Sequence, residues 1–191
     1  EGVRFDDAGH ASPEQFIAAS ELAKRAGLEV DQDGPAWRSS EPGRGVSSLR
    51  SRQRDFFEGV RDLGATSSTH IKTWPNAHPQ YWMDISLGSS RAWLTLTVNS
   101  VKNRVGCELH IPNDKALFAD FLAKRETIEA ALGATLEWRE MPTKKASRII
   151  LLEDGDFRNE DEAPRLTQWL VNTADRFAAV FTPHLRAPAL W

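Results

Sequence analysis

The sequence predicts an α+β domain in which a mainly antiparallel sheet of about five strands has helices on one face. Five short segments alternate apolar and polar residues, the pattern of strands with one buried face. Longer segments repeat apolar residues every three or four positions, which indicates amphipathic helices. Consecutive strands are joined by short connections, and such connections join antiparallel neighbours. From residue 47 onward the predicted order is α-β-β-β-α-β-β-α.

The chain before the sheet divides into distinct stretches. Residues 1–30 contain a short helical segment, which we interpret as the end of an upstream region. Residues 31–46 are rich in glycine and proline and lack periodicity, so they predict a linker. The α+β domain is predicted to span residues 47–191 and to begin with a helix over 47–65.

Three strands are predicted next, over residues 81–88, 91–100 and 104–111. Each strand places apolar residues on one face. The opposite face carries Trp, Asp, Thr, Asn, Arg, Glu and His side chains. Because the helices are expected to cover the apolar face, the polar face is the candidate functional surface.

The remaining predicted elements are a helix over 113–133, strands over 135–141 and 146–154, and a helix over 161–185. Capping residues support the helix boundaries. Ser47 or Ser48 is expected to cap the first helix, and Asn113 or Asp114 the second. Gly133 is expected to end the second helix, because glycine readily adopts the left-handed conformation of a C-cap.

Composition excludes several classes of protein. The apolar runs are far shorter than the roughly 18–20 residues that span a bilayer, and no signal peptide is visible. Cys107 is the single cysteine, so an internal disulfide is excluded and a cytoplasmic location without a membrane partner is expected. The net charge of −3 argues against nucleic-acid binding through bulk charge and leaves a local basic patch open. The opening Glu1-Gly2, without methionine, suggests a trimmed fragment of a longer protein.

The chain lacks the usual motifs for phosphate-binding loops, dinucleotide binding, serine hydrolysis and zinc proteolysis. His70 and His78 share a proline-bearing loop, but no cysteine or carboxylate joins them at ligand spacing. We therefore predict no metal site and no cofactor.

Asp84, Glu108 and His110 lie on the polar face of the predicted sheet. An Asp on one strand and a Glu-x-Lys on a later strand bind Mg²⁺ in restriction-endonuclease-like enzymes, but here histidine replaces the lysine. These residues are the catalytic candidates of an alternative hypothesis, a divergent Mg²⁺-dependent nuclease. The simpler interpretation is a polar sheet face on which Asp84 pairs with Arg104 across strands.

Trp82 and Trp93 share that polar face with Arg104. Aromatic side chains on an open sheet stack on bases, and arginine contacts phosphates. Tryptophan and arginine also dominate protein–protein interfaces. Internal packing under another segment is the third interpretation, and the sequence alone leaves the three open.

Lys144, Lys145 and Arg148 place three cations within five positions, between the last two strands. They can form a basic edge that contacts phosphates, together with Arg104. Alternation instead places Arg148 on the sheet, partly buried in an ion pair with Glu108 or Glu137 that fixes strand register. In that case Lys144 and Lys145 would be exposed to solvent without a binding role, and Arg148 would be structural.

Several segments resemble a bacterial domain-of-unknown-function family, DUF4268. The resemblance covers residues 53 to about 181 and is most specific in the last of the matching segments. These segments are RQRDFFEGV, YWMDISLG, LTLTVNS, KNRVGCELHIPNDKALF, ETIEAALG and LEWREMPTKKASRI. The resemblance implies a domain that lies C-terminal to a restriction-endonuclease-like nuclease domain, or within other proteins of phage defence and DNA processing. It implies no established catalytic residues.

Taken together, these observations favour a non-catalytic accessory domain that binds nucleic acid, with DNA as the expected ligand, or a protein partner. An upstream nuclease in the same full-length chain is one such partner. Two alternatives remain beside this accessory-domain hypothesis. One is the Mg²⁺-dependent nuclease, and the other is a homo-oligomerisation module whose polar face pairs with a second copy. The predicted contact residues are Trp82, Trp93, Arg104, Lys144, Lys145 and Arg148.

Overall fold

The computed structural model of this protein describes residues 44–185, with side chains from residue 48 onward. The segments predicted over residues 1–30 and 31–46 lie outside the described residues, apart from the first turn of the helix that begins at Arg44. The elements, in chain order, are α1 (Arg44–Ser67), β1 (Trp82–Ser86), β2 (Trp93–Asn99), β3 (Arg104–Ile111), α2 (Lys115–Ala123), α3 (Arg125–Leu132), β4 (Glu137–Arg139), β5 (Ser147–Asp154) and α4 (Ala163–Leu185). The predicted α+β class and element order are confirmed.

The helix predicted over 113–133 is two helices, α2 and α3, that meet at Lys124. The backbone of Lys124 leaves the helical region, with φ −106° and ψ 17°. Its N–H donates to the carbonyl of Phe121 at 2.9 Å, a tightened last turn rather than a continued α-helix. Apolar periodicity runs through both helices, so the sequence pattern could not locate this break.

The predicted helix boundaries hold at α2 and α3 and differ at α1. The side chain of Asp114 accepts the N–H of Leu117 and caps α2. Gly133 ends α3 with φ 63°, in the left-handed region as predicted. Ser47 and Ser48 lie inside α1, which begins at Arg44, so the predicted cap there is wrong.

All five strands form one antiparallel sheet in the order β1-β2-β3-β5-β4. The hairpin of β4 and β5 adds to β3 through β5, which becomes an inner strand. This places β5 beside β3, although α2, α3 and β4 separate them in the sequence. The residues of the last hairpin therefore reach the centre of the sheet.

The core lies between the apolar face of the sheet and the helices. Strand residues such as Leu94 and Leu109 are fully buried there. The helices contribute large side chains, including Phe57 of α1, Phe121 of α2 and Phe177 of α4, to the same cluster. Fully burying side chains of this size contributes about 1.5–3 kcal/mol each. The opposite surface of the sheet, here called the outer face, carries the polar side chains that the sequence predicted.

Register sorts the outer face into rows of neighbouring side chains, since residues paired across antiparallel strands point to the same face. The Trp93 row consists of Ser86, Trp93, His110, Arg148 and Arg139. The Glu108 row consists of Asp84, Thr95, Glu108, Ile150 and Glu137. The Trp82 row consists of Trp82, Thr97, Gly106 and Leu152.

Candidate functional site

The Trp93 row brings an aromatic group and two arginines together across the sheet. The rings of Trp93 and His110 lie with centroids 4.7 Å apart and an interplanar angle of 34°. Arg148 pairs with His110 across β5 and β3, and Arg139 of β4 lies beyond it. Trp93 and Arg148 are predicted contact residues that are 55 positions apart in the sequence, and the strand order places them in one row.

Arg148 is held by Glu108 from the neighbouring row. Its Nη1 lies 3.7 Å from Oε2 of Glu108, and the two side chains are only 18% and 9% exposed. The predicted ion pair between Arg148 and Glu108 is thereby confirmed. A pair at this distance is electrostatic rather than a short hydrogen bond, and its burial protects it from screening by salt.

Asp84, on β1, lies in the Glu108 row and is also hydrogen-bonded. Thr95 Oγ1 donates to Asp84 Oδ1 at 2.5 Å. Thr95 also separates the two carboxylates, because β2 lies between β1 and β3, so the Asp84 and Glu108 backbones are roughly 10 Å apart. Over residues 44–185, no group of three or more His, Cys, Asp and Glu side chains is arranged to hold a metal ion.

Arg104 lies at the opposite end of β3 from this cluster. It pairs with Asn99 and Asp154, and it precedes His110 by six residues, or roughly 20 Å of strand. The prediction that Arg104 pairs with Asp84 is therefore wrong. A single basic edge joining Arg104 with Arg148 is not formed either, because the two ends of the sheet separate them.

Trp82 occupies the row between these ends. Its ring packs against Tyr81 with centroids 4.7 Å apart. It pairs with Thr97 of β2, two rows from Arg148. The outer face thus carries two partly exposed tryptophans, Trp82 near the edge and Trp93 beside His110.

The connection from β4 to β5, residues 140–146, is here called the basic turn. Lys144 and Lys145 project from it and are exposed. Met141 has φ 51°, in the left-handed region that residues other than glycine rarely adopt, and its carbonyl accepts the N–H of Lys144 at 2.9 Å. The turn therefore has a defined conformation, and it lies at the ends of β4 and β5 that carry Arg139 and Arg148.

Lys115, which is not among the predicted site residues, is bound inside the basic turn. Its Nζ donates to the carbonyl of Ala146 and to Ser147 Oγ, each at 2.9 Å, and to the carbonyl of Met141 at 3.2 Å. It also contacts the carbonyl of Glu140. A local signal existed, because a lysine in the first turn of a helix opposes the helix dipole.

A second polar cluster lies away from the outer face, around Asp175 of α4. Its carboxylate accepts the backbone N–H groups of Thr69, His70 and Ile71 at 2.7–3.3 Å. His70 Nδ1 lies 3.0 Å from the same carboxylate, so His70 is a loop anchor rather than the metal ligand considered from sequence. Burial raises the pKa of Asp175, but the hydrogen bonds from His70, Thr69 and Ile71 outweigh it and lower the pKa to about 2.

Cys107 lies on the apolar face of β3, where the sequence predicted it. Its side chain is fully buried, and this burial raises the pKa of the thiol well above its ordinary value. A thiol of this kind is unreactive, so Cys107 is a core residue.

These features define a class: an α+β domain with one helix-covered antiparallel sheet and a polar, tryptophan-bearing outer face next to a basic turn. The chain belongs to the family described as Domain of unknown function (DUF4268), whose model matches residues 52–185. Among curated proteins, none is significantly similar in sequence to this chain. Within the part of the chain that the structure describes, no helix is long and apolar enough to cross a membrane.

Proposed function

We propose that this domain is a non-catalytic accessory module that binds nucleic acid, within a bacterial DNA-processing or anti-phage defence protein. The observation that carries the proposal is the Trp93 row with the basic turn next to it, at the ends of β4 and β5. Trp93 offers a ring for base stacking, worth about 1–3 kcal/mol per base in single-stranded complexes. Arg139, Lys144 and Lys145 offer cations for phosphates at the same end of the sheet.

The net charge of the chain does not favour nucleic-acid binding, but the local charge at the basic turn does. The chain as a whole carries −3, but the two segments that flank β5 differ in local charge. Residues 140–146 have two lysines and one glutamate, whereas residues 155–162 have four carboxylates and one arginine. Lys144 and Lys145 precede the strand, whereas Glu153, Asp154 and Asp156 lie at and after its other end. At about 0.1 M salt the Debye length is roughly 10 Å, shorter than the strand. A phosphate at the basic turn is therefore largely screened from the acidic end.

The same geometry favours binding over cleavage. A nuclease that uses Asp84 and Glu108 needs both carboxylates available to one Mg²⁺ and a reacting phosphate. Asp84 instead accepts a 2.5 Å hydrogen bond from Thr95, and Glu108 pairs with Arg148. We therefore assign Glu108 a positioning role toward Arg148 and assign no reaction to the row.

Fluorescence anisotropy with labelled single-stranded DNA, double-stranded DNA and RNA, at about 50 and 200 mM salt, tests the proposal. Each bound phosphate contributes about 0.9 to the slope of log affinity against log salt for duplex DNA, and about 0.7 for single strands. Replacing both Lys144 and Lys145 by alanine should remove about two such contributions. The double variant Lys72→Ala/Lys124→Ala removes the same charge at exposed positions away from the outer face and should leave the slope unchanged.

Three other outcomes would redirect the assignment. Absence of salt-dependent binding to every probe would overturn nucleic-acid binding and leave a protein partner. A doubled mass by light scattering, insensitive to nucleic acid, would favour homo-oligomerisation. Mg²⁺-dependent products on a gel, abolished by Asp84→Ala, would establish the nuclease instead.

A further inference from the structure

The basic turn closes around an ammonium group. Lys115 Nζ has three N–H donors, and it is surrounded by the carbonyls of Glu140, Met141 and Ala146 together with the hydroxyl of Ser147. These acceptors come from both ends of the turn. The ammonium therefore joins the end of β4 to the start of β5, beyond the hydrogen bonds of the strands themselves.

A second hydrogen bond joins the two ends of the basic turn, next to the Lys115 ammonium. Ser147 Oγ donates to the carbonyl of Glu140 at 2.9 Å, and the Ser147 side chain is fully buried. The left-handed residue Met141 is one of the Lys115 acceptors. A disfavoured backbone conformation persists only where the surrounding contacts hold it. Lys115 supplies such a contact.

Lys115 is itself fixed by the sheet. It is the first residue of α2, directly after the capping residue Asp114. Asp114 Oδ2 accepts a hydrogen bond from Arg91 Nε at 2.9 Å, just before β2. The N–H of Leu117, helped by Arg91, lowers the pKa of Asp114 despite partial burial. The turn is thus tied to the start of β2 through Lys115, Asp114 and Arg91.

We infer that Lys115 is a positioning residue for the basic turn: its ammonium, bound by the turn's own carbonyls, holds the conformation in which Lys144 and Lys145 project for binding. The inference rests on the nucleic-acid function proposed above. Three carbonyl oxygens of the turn, groups that would repel a phosphate, are directed onto Lys115. Lys144 and Lys145 lie at the surface of the turn, which also carries the exposed Glu140.

Limited proteolysis tests the structural half of the inference without nucleic acid. Trypsin cleaves after lysine in chain that can open locally, so native cleavage after Lys144 and Lys145 reports how firmly the turn is held. Lys115→Met keeps an unbranched side chain one atom shorter and removes the donors. We expect its cleavage after these two residues to be about tenfold faster, because hydrogen bonds from charged donors are lost. The matched control Lys124→Met, at the exposed junction of α2 and α3, should change it less than about twofold.

Chemical rescue separates loss of the ammonium from general loosening. In Lys115→Ala, added n-propylammonium replaces the missing atoms and should slow cleavage at the turn, whereas sodium at equal ionic strength should not. If Lys115→Met fails to fold, Ser147→Ala keeps the lysine and removes one acceptor, and faster cleavage at the turn is again expected. Cleavage unchanged from wild type in the folded variants would overturn the inference.

Binding provides the readout that distinguishes positioning from direct contact. A lysine that merely touches one phosphate removes about 0.9 from the salt slope with duplex DNA when it is replaced. Lys115→Met should remove about as much as the Lys144→Ala/Lys145→Ala double variant. Should the wild type bind no nucleic acid while Lys115→Met still accelerates cleavage, the proposed function falls and the positioning role stands. If the wild type binds nucleic acid and Lys115→Met reduces the salt slope by only about 0.9, the value for one phosphate contact, the positioning role of Lys115 would be overturned.

Discussion

Glu108 and Arg148 show how charged side chains are accommodated near the middle of the outer face. Each is largely buried, and each provides the opposite charge that makes the burial of the other tolerable. Removing one partner leaves an uncompensated charge, whereas removing both leaves none. The same residues also align β3 with β5, so the pair links local electrostatics to strand register.

A double-mutant cycle should reveal this dependence. We expect Arg148→Met alone to lower the free energy of unfolding by about 2–3 kcal/mol, and the added change Glu108→Gln to restore part of it. Urea unfolding measures both. The exposed pair Arg139 and Glu137, with each side chain 47% exposed, is the control and should couple by less than about 0.5 kcal/mol. Equal coupling in the two cycles would contradict the prediction.

Asp175 should make stability depend on pH. Its pKa falls from an ordinary 3.8 to about 2 in the folded protein, a difference worth about 2 kcal/mol. Because the folded pKa is depressed, this stabilisation is present above about pH 4 and is lost as pH falls toward 2. Asp175→Asn should be less stable at pH 7 and should show a flatter fall in unfolding free energy between about pH 5 and 2. If the unfolding free energy of the variant depends on pH as that of the wild type does, the hydrogen bonds of Asp175 do not stabilise the fold in this way.

At the scale of elements, helix α1 illustrates a close contact that only glycine permits. A Cβ on Gly64 would lie 2.2 Å from the ring of Trp74, whose Nε1 donates to Ser68 Oγ. The loop after α1 therefore folds back over the helix at a position without a side chain. A Cβ on Gly59, in the same helix, would have no neighbouring atom within 4 Å among the described residues.

The two glycines should respond oppositely to alanine. Gly64→Ala forces Trp74 to move and should lower the unfolding free energy by about 1–3 kcal/mol. Gly59→Ala meets open space and should raise it by up to about 1 kcal/mol, the helix-propensity difference. Thermal unfolding followed by circular dichroism measures both changes. Equal stabilisation of both variants would show that a side chain at position 64 does not clash with the Trp74 ring.

The elements were largely predictable because each has a local period. The predicted strand over 104–111 coincides with β3, and the first helix differs only at its ends. The order of strands carries no such local signal, since the insertion of β5 beside β3 depends on contacts between distant segments. This is why the sequence could name Trp93 and Arg148 as candidate contact residues but could not place them in one row, or separate Arg104 from them. Lys115 was missed because its acceptors are mostly backbone carbonyls, which no residue type reveals.

At the scale of the whole molecule, the two ends of the sheet differ in local charge. The basic turn has two lysines and one glutamate, whereas the acidic loop, residues 155–162, has four carboxylates and one arginine. The basic turn lies at the end of β3 that carries Ile111, and the acidic loop after β5 lies at the end that carries Arg104. Arg158 ties this loop to the β2–β3 turn through a hydrogen bond to Asn103 at 3.0 Å. A nucleic acid is therefore expected to approach one end of the domain.

Neutralising the acidic loop should test this polarity. Glu160→Gln/Asp161→Asn changes two exposed charges. It should leave the salt slope of nucleic-acid binding unchanged and alter affinity by less than about twofold at about 0.15 M salt, because the strand is longer than the Debye length. Anisotropy titrations at several salt concentrations give both quantities. A changed slope would mean that the nucleic acid reaches the acidic end.

The burial of Cys107 gives the protein a built-in reporter of its own opening. It is the only thiol among 191 residues, and it sits within the inner strand β3. A thiol reagent can reach it only when the helices separate from the apolar face of the sheet, locally or on unfolding, so the labelling rate measures how often the core opens. No probe has to be engineered into the chain. The labelling rate can be measured with and without nucleic acid, and any ligand that binds only the closed core will slow it by the factor 1 + [L]/Kd.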